Sequence, residues 1–291
     1  MTESSPRGFK YSLATRLKSR VFRIFHSKFS SLHISQSFFK SLADVSIGSI
    51  EDLYGTNRKE ISHAKVIHVR SDFLLEFLSD FGRALNARLL LVGSSDLPIE
   101  FDLDTLLPKS VLRAYVQNSL VSDNQRIFTL PIGIEDLALG LNGLPSLMTP
   151  GSTVRKRKIL IGPFSLTHPE RTTLLQSALN CREAFIVSER CSPKTYSRLA
   201  QQFQWIACPP GNGMDTHRLW ESLYRGSIPV VKRSHWSSSL SIYKLPLLEI
   251  TSWSNEELHK LTQTDTTEFT PEEIPPLWQW YWVNLFKTFL Y

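Results

Sequence analysis

The stretch from Phe203 to Val231 constrains the architecture more than any other part of the chain. Phe203 to Cys208 is apolar and strand-like, Pro209-Pro210-Gly211-Asn212-Gly213 is a turn, and Ile228-Pro229-Val230-Val231 is a second apolar run. A short helix is expected between them. Asp215 or Thr216 can cap it by accepting free N–H groups, and Gly226 can end it without a left-handed backbone penalty. At helical spacing Arg218, Glu221 and Arg225 share one side, and Leu219 and Leu223 share another. Strand, glycine turn, helix and strand in this order describe a βαβ unit of a parallel sheet. A helix N-terminus behind a glycine turn suits a phosphate, and an arginine one turn in adds a charged clamp. Glu221, one turn deeper, is placed to accept hydrogen bonds from sugar hydroxyls.

The same rhythm runs through most of the chain. Strands are expected at Ala64–Val69, Arg88–Val92 and Arg126–Leu130, with helices over Asp72–Leu85 and Thr105–Asn118. The segment 139–153, rich in Gly, Pro, Ser and Thr, reads as a linker. After it come strands at Lys158–Ile161 and Ala184–Val187, helices over Pro169–Leu179 and Ser192–Gln202, and a strand-like run at Leu245–Ile250. The expected organisation is a basic amphipathic segment 1–43, a Rossmann-like unit 44–150, a second such unit 151–270, and a C-terminal aromatic helix 271–291 that packs back on the first unit.

Charge separates the first of these segments from the rest. The chain carries 33 Lys and Arg against 27 Asp and Glu, a net charge of +6. Residues 1–43 hold eight of the positives and one acid, so the remainder is close to neutral. That distribution argues against a nucleic-acid partner, which calls for basic groups across a folded face. Leu13, Leu17, Val21, Ile24, Phe25 and Phe29 follow a helical period with Arg16, Arg20 and Arg23 opposite. Such a helix fits either an anionic membrane surface, met through residues 7–40, or packing on its own domain. No run of eighteen apolar residues exists, and no signal-peptide pattern opens the chain, so a cytoplasmic protein, peripheral on the inner face of a membrane in the first case, is expected. Cys181, Cys191 and Cys208 match neither a disulfide framework nor a zinc pattern.

The run from Cys208 to Val231 resembles the donor-binding core of exostosin-like glycosyltransferases. That family has a glycine turn, Arg-x-x-Glu on the following helix, and a Gly-x-Ile-Pro-Val segment. Leu91-Val92-Gly93-Ser94-Ser95-Asp96, Gln117-Asn118 and Leu130-Pro131-Ile132-Gly133-Ile134-Glu135 resemble its upstream signatures, so the likeness covers residues 88–255. It implies an α/β protein of GT-B type, with two Rossmann-like domains whose parallel sheets face each other across a cleft. It also implies transfer of a sugar from a nucleoside-diphosphate donor to a glycan or lipid-linked acceptor, without a metal or other cofactor. Inverting chemistry in the making of a bacterial or viral surface polysaccharide is the expected setting.

On this basis the candidate catalytic residues are Arg218, against the leaving diphosphate, and Asp96, as proton acceptor. Asp72 is the alternative base, and His68 reads as a core histidine. Donor-binding candidates are Arg171, Gly211, Gly213, Asp215, Thr216, His217, Glu221 and Lys232, with Ser165 or Thr167 capping the helix that carries Arg171. Each has a structural alternative: Glu221 can pair with Arg218 or Arg225 along the helix, and Asp215 and Thr216 can serve as caps. A non-catalytic scaffold that binds nucleotide-sugar or glycan is the competing function.

Overall fold

The structure, a computed structural model, describes residues 32–120, 125–151 and 154–290. The amphipathic run Leu13–Phe29 lies outside the described residues. The first half comprises α1 (Gln36–Ser41), β1 (Val45–Ile47), α2 (Ile50–Gly55), α3 (Arg58–His63), β2 (Val66–Arg70), α4 (Leu74–Phe81), β3 (Leu89–Gly93), β4 (Arg113–Val116) and β5 (Ile127–Thr129). Local signals set the short helices: Ser49 with Asp52, and Asn57 with Glu60, form capping boxes that satisfy the first N–H groups of α2 and α3. The five strands are parallel and lie side by side in chain order, β1-β2-β3-β4-β5.

The second half comprises β6 (Lys156–Ile161), α5 (Pro169–Ala178), β7 (Ala184–Ile186), α6 (Pro193–Ala200), β8 (Phe203–Ala207), α7 (His217–Tyr224), β9 (Ile228–Lys232), α8 (His235–Ser239), β10 (Leu248–Ile250), α9 (Asn255–Gln263) and the C-terminal α10 (Gln279–Leu290). Its five parallel strands are ordered β10-β9-β8-β6-β7, so the direction of winding reverses between β6 and β8. The protein is therefore an α/β fold with two parallel five-stranded sheets. Among the described residues no helix is long and apolar enough to cross a membrane.

One expectation fails outright. Thr105–Asn118 is not a helix: Asp102 caps a single 3-10 turn at Leu103–Thr105, and Arg113–Val116 is strand β4 between β3 and β5. Pro108, with no N–H to give, interrupts the helical pattern, and burial of Ala114, Tyr115 and Val116 takes the segment into the sheet.

The two faces of the first sheet are covered from different sources. Ile67, Val69, Leu90, Val92, Ala114 and Val116 face a core built with Leu53, Ile61 and Phe77 from the crossover helices. Val66, Leu89, Leu91 and Tyr115, on the alternate face, belong to a core that also holds Phe39 of α1 and Trp282 and Phe286 of α10. Crossovers of one hand, all running in one direction across a sheet, put their helices on one side, so the other side must be roofed by remote chain. Trp282 is the centre of that roof: its ring meets Phe39, Tyr115 and Tyr243 at 5.2–5.8 Å. Arg88 donates to the Phe289 carbonyl and the Arg113 guanidinium lies over the Phe289 ring, which ties the end of α10 to the first half.

Candidate functional site

Parallel sheets bind ligands outside their carboxyl edge, where strand order reverses. In the second sheet that point lies between β6 and β8, and the loops leaving these strands are Gly162–His168 and Cys208–Thr216. Two arginines join them. Arg171, from the first turn of α5, donates from Nε to the Pro210 carbonyl at 2.8 Å and from Nη1 to the Ser165 carbonyl at 2.7 Å and Thr167 Oγ1 at 3.2 Å. Arg218, from the first turn of α7, donates from Nη2 to the Pro163 carbonyl at 2.5 Å. Both guanidiniums lie against the Phe164 ring, at 5.2 and 5.3 Å from its centre. Burial, and then the neighbouring charge of Arg218, pulls the pKa of Arg171 down to about 10. Among the described residues neither arginine forms an ion pair. The crevice thus holds two adjacent positive charges anchored on carbonyl and hydroxyl oxygens. Arg190, from the loop after β7, donates to Ser165 Oγ at 2.8 Å and closes the same loop from outside.

The first sheet meets this crevice through the turn after β3. Ser94 adopts φ +57°, and its N–H is shared by Gln36 Oε1 at 2.9 Å and Gln117 Oε1 at 3.0 Å. A Cβ at Gly93 would fall 2.6 Å from Gln36 Oε1, so a larger residue there would displace that side chain. The turn carries Asp96 outward, where its carboxylate accepts a hydrogen bond from Asn212 Nδ2 at 3.2 Å. A first-half carboxylate therefore meets the glycine turn of the second half. Asp72 is engaged differently: Arg70 Nε donates to it at 2.7 Å, and bonds from Ser95 and Arg70 outweigh burial to hold its carboxyl below the usual range. His68 is a core residue, as expected, wholly buried between Ser46 Oγ and Ser94 Oγ at 3.0 and 3.3 Å.

Several expected donor ligands are engaged by partners within the fold. Asp215 is buried and does not face a phosphate: its carboxylate accepts the Ile132 N–H and the Trp220 indole N–H, each at 2.8 Å. Its own N–H donates to Asn118 Oδ1 at 2.8 Å. Burial pushes the Asp215 carboxyl up to about 7 against these bonds. Thr216 is the N-cap of α7 by backbone position, yet its side chain makes no capping bond. His217 donates from Nδ1 to the Gly133 carbonyl at 2.9 Å, because a carbonyl can only accept, and this fixes its tautomer. The segment Ile132-Gly133 of the first half is thereby seated on the start of α7, the place that the sequence suggests for an anion.

The two turn glycines serve close packing. A Cβ at Gly211 would lie 2.7 Å from Arg171 Nη2, and one at Gly213 would lie 2.6 Å from Asn118 Nδ2. Glu221 is buried in an ion pair with Arg225 at 3.2 Å, four residues along α7, and is not displayed to a ligand in the crevice. Lys232 pairs with Glu170 at 3.1 Å, and Glu170 also accepts the Trp253 indole N–H at 2.8 Å. The α5 cap is His168, whose Nδ1 accepts the Glu170 N–H at 3.3 Å, in place of Ser165 or Thr167.

Four contributors escape sequence reasoning. Phe164, Asn118, Asn212 and Glu135 acquire their roles only from contacts across the fold. Glu135, beside His217 and Glu221, has its carboxyl pushed up by burial while accepting the Asn142 N–H at 3.0 Å. Asn118, Asn212 and Glu135 stand within the motifs that carry the family resemblance and Phe164 in the loop after β6, but nothing in the sequence marks these contacts. No protein-family profile matches the chain, and no curated protein is significantly similar to it.

Proposed function

We propose that this protein is a glycosyltransferase of GT-B type, transferring a sugar from a nucleoside diphosphate to a hydroxyl of a glycan or lipid-linked acceptor. The observation that carries the proposal is the arginine couple Arg171 and Arg218, which forms no ion pair among the described residues, at the point where the second sheet reverses. A diphosphate is the leaving group whose charge such a couple offsets, and guanidiniums placed in advance do so at little cost in reorganisation. In this scheme the acceptor oxygen attacks C1 of the donor, the C1–O bond to the diphosphate breaks, and Asp96 takes the hydroxyl proton. The arginine couple does the work that a divalent cation does in other transferases, so the reaction is proposed to run without one. The likeness to exostosin-like enzymes supports the same scheme, with surface polysaccharide as the product. The basic run 7–40 is proposed to hold the enzyme at an anionic cytoplasmic membrane face.

A second function, binding without turnover, is favoured by one observation: Asp96 accepts from Asn212. Melting curves with UDP, GDP, ADP and CMP, each with and without EDTA, test the primary proposal. One diphosphate should raise the melting temperature in an EDTA-insensitive way, and Arg218→Ala should abolish the shift. No shift with any nucleotide sinks the proposal. Binding with no donor hydrolysis and no transfer to any glycan acceptor leaves the scaffold function standing.

A further inference from the structure

Arg218 Nη1 and the Tyr196 hydroxyl are both buried, and among the described residues neither has a hydrogen-bond partner. They belong to one cluster. The Arg218 guanidinium lies 5.1 Å from the centre of the Tyr196 ring, and that of Arg225 lies 5.7 Å from it. Tyr196 belongs to α6 and is only 9% exposed. A donor withdrawn from water without an acceptor is costly, and buried polar atoms in folded proteins are nearly always satisfied. Two such donors on side chains that touch each other are suited to share one acceptor.

The local charge identifies what kind. Arg218 and Arg225 both lie against the Tyr196 ring, Arg225 holds Glu221, and Arg218 adjoins Arg171. Among the described residues neither Arg218 nor Arg171 forms an ion pair, so their charges remain beside the crevice. A group that suits two such donors beside these charges is an oxyanion, rich in acceptors and negatively charged.

We infer that the Tyr196 hydroxyl and Arg218 Nη1 form the inner end of the anion site and donate together to one oxygen of a bound diphosphate. Tyr196 is thus a ligand-binding residue rather than a packing residue. This inference rests on the diphosphate site proposed above. It has a consequence that packing alone does not: the hydroxyl destabilises the empty protein and stabilises the liganded one.

Tyr196→Phe removes a single oxygen and separates the two effects. The full chain and the variant are titrated calorimetrically with inorganic pyrophosphate and with UDP, GDP and ADP, and both are melted without ligand. The unliganded variant should melt a few degrees higher, while its Kd for pyrophosphate and for the accepted nucleotide should rise about ten- to a hundredfold. A higher melting temperature with unchanged affinity overturns the inference and makes Tyr196 an orphan of packing. A lower melting temperature overturns it too, since the hydroxyl then has a partner in the empty protein. If the wild-type chain binds neither pyrophosphate nor any nucleotide, the diphosphate site itself falls. If the wild type binds and the variant binds equally well, only the role of Tyr196 falls.

Discussion

The carboxylate of Asp215 accepts the backbone N–H of Ile132 at 2.8 Å, a bond that closes the start of α7 onto the loop leaving β5 of the first sheet. Burial keeps this carboxyl up at about 7, so the folded state holds its proton more tightly than the unfolded chain does. A raised carboxyl pKa gives stability that is present below about pH 4 and lost as the pH rises through 7, amounting to roughly 4 kcal/mol. In Asp215→Asn that slope disappears. Urea unfolding should show wild type losing stability relative to the variant between pH 4 and pH 8. An equal gap between the two proteins at both values rules out the titration of Asp215 as its source.

His68 gives the opposite slope. Burial, helped by the charge of Lys40, lowers its pKa to about 4, so the neutral ring is the folded form. The associated stability is complete above pH 6.5 and drains as the pH falls through 4, because the unfolded histidine protonates first. His68→Gln should be the less stable protein at pH 7 and should lose less stability than wild type between pH 7 and pH 5. Parallel acid limbs in the two proteins would discount His68.

Glu221 is a further test of whether sequence position or structure defines the site. If its work is to hold Arg225, Glu221→Ala leaves a buried guanidinium without its partner and costs about 3–5 kcal/mol. The loss should appear in urea unfolding without any ligand present. A variant as stable as wild type but unable to bind a donor would return Glu221 to the ligand set.

Gly133 has φ +68°, and a Cβ there would lie 2.2 Å from the Ile34 carbonyl oxygen. The strained backbone and the clash with main chain act together, so Gly133→Ala should cost more than about 2 kcal/mol. It should also loosen the His217 bond to this residue's carbonyl. Thermal unfolding checks the first effect, and a change in the His217 imidazole signals by NMR checks the second. A melting temperature like that of wild type, with unaltered imidazole signals, counts against both.

Much of the strand and helix order was legible because the residues concerned act locally. Phe203–Ala207 and Ile228–Lys232 announce strands by unbroken apolar runs, and the helix between them by its cap region and Gly226. Arg171 and Arg218 were readable as a pair of positive charges because both follow strand-ending loops. The strand at Arg113–Val116 was not, since four residues are too few to show a period beside the polar turn that precedes them. Asp215 and Glu221 misled for a common reason: a carboxylate near a helix start looks the same in sequence whether it faces a ligand or the core. Their burial is set by Ile132, Trp220 and Arg225, and the first of these lies 83 residues away.

By itself the sequence determined the alternation of strand and helix, the parallel sheets that follow from it, and the place of the glycine turn. These depend on periodicity and backbone freedom within a few residues. Only the tertiary structure decided that one sheet winds in a single direction while the other reverses between β6 and β8. It alone brought Trp282 over the bare face of the first sheet and set Arg171 beside Arg218 against Phe164. Strand order and long-range packing are chosen by which buried surfaces fit together across the whole chain, and no local stretch carries that information.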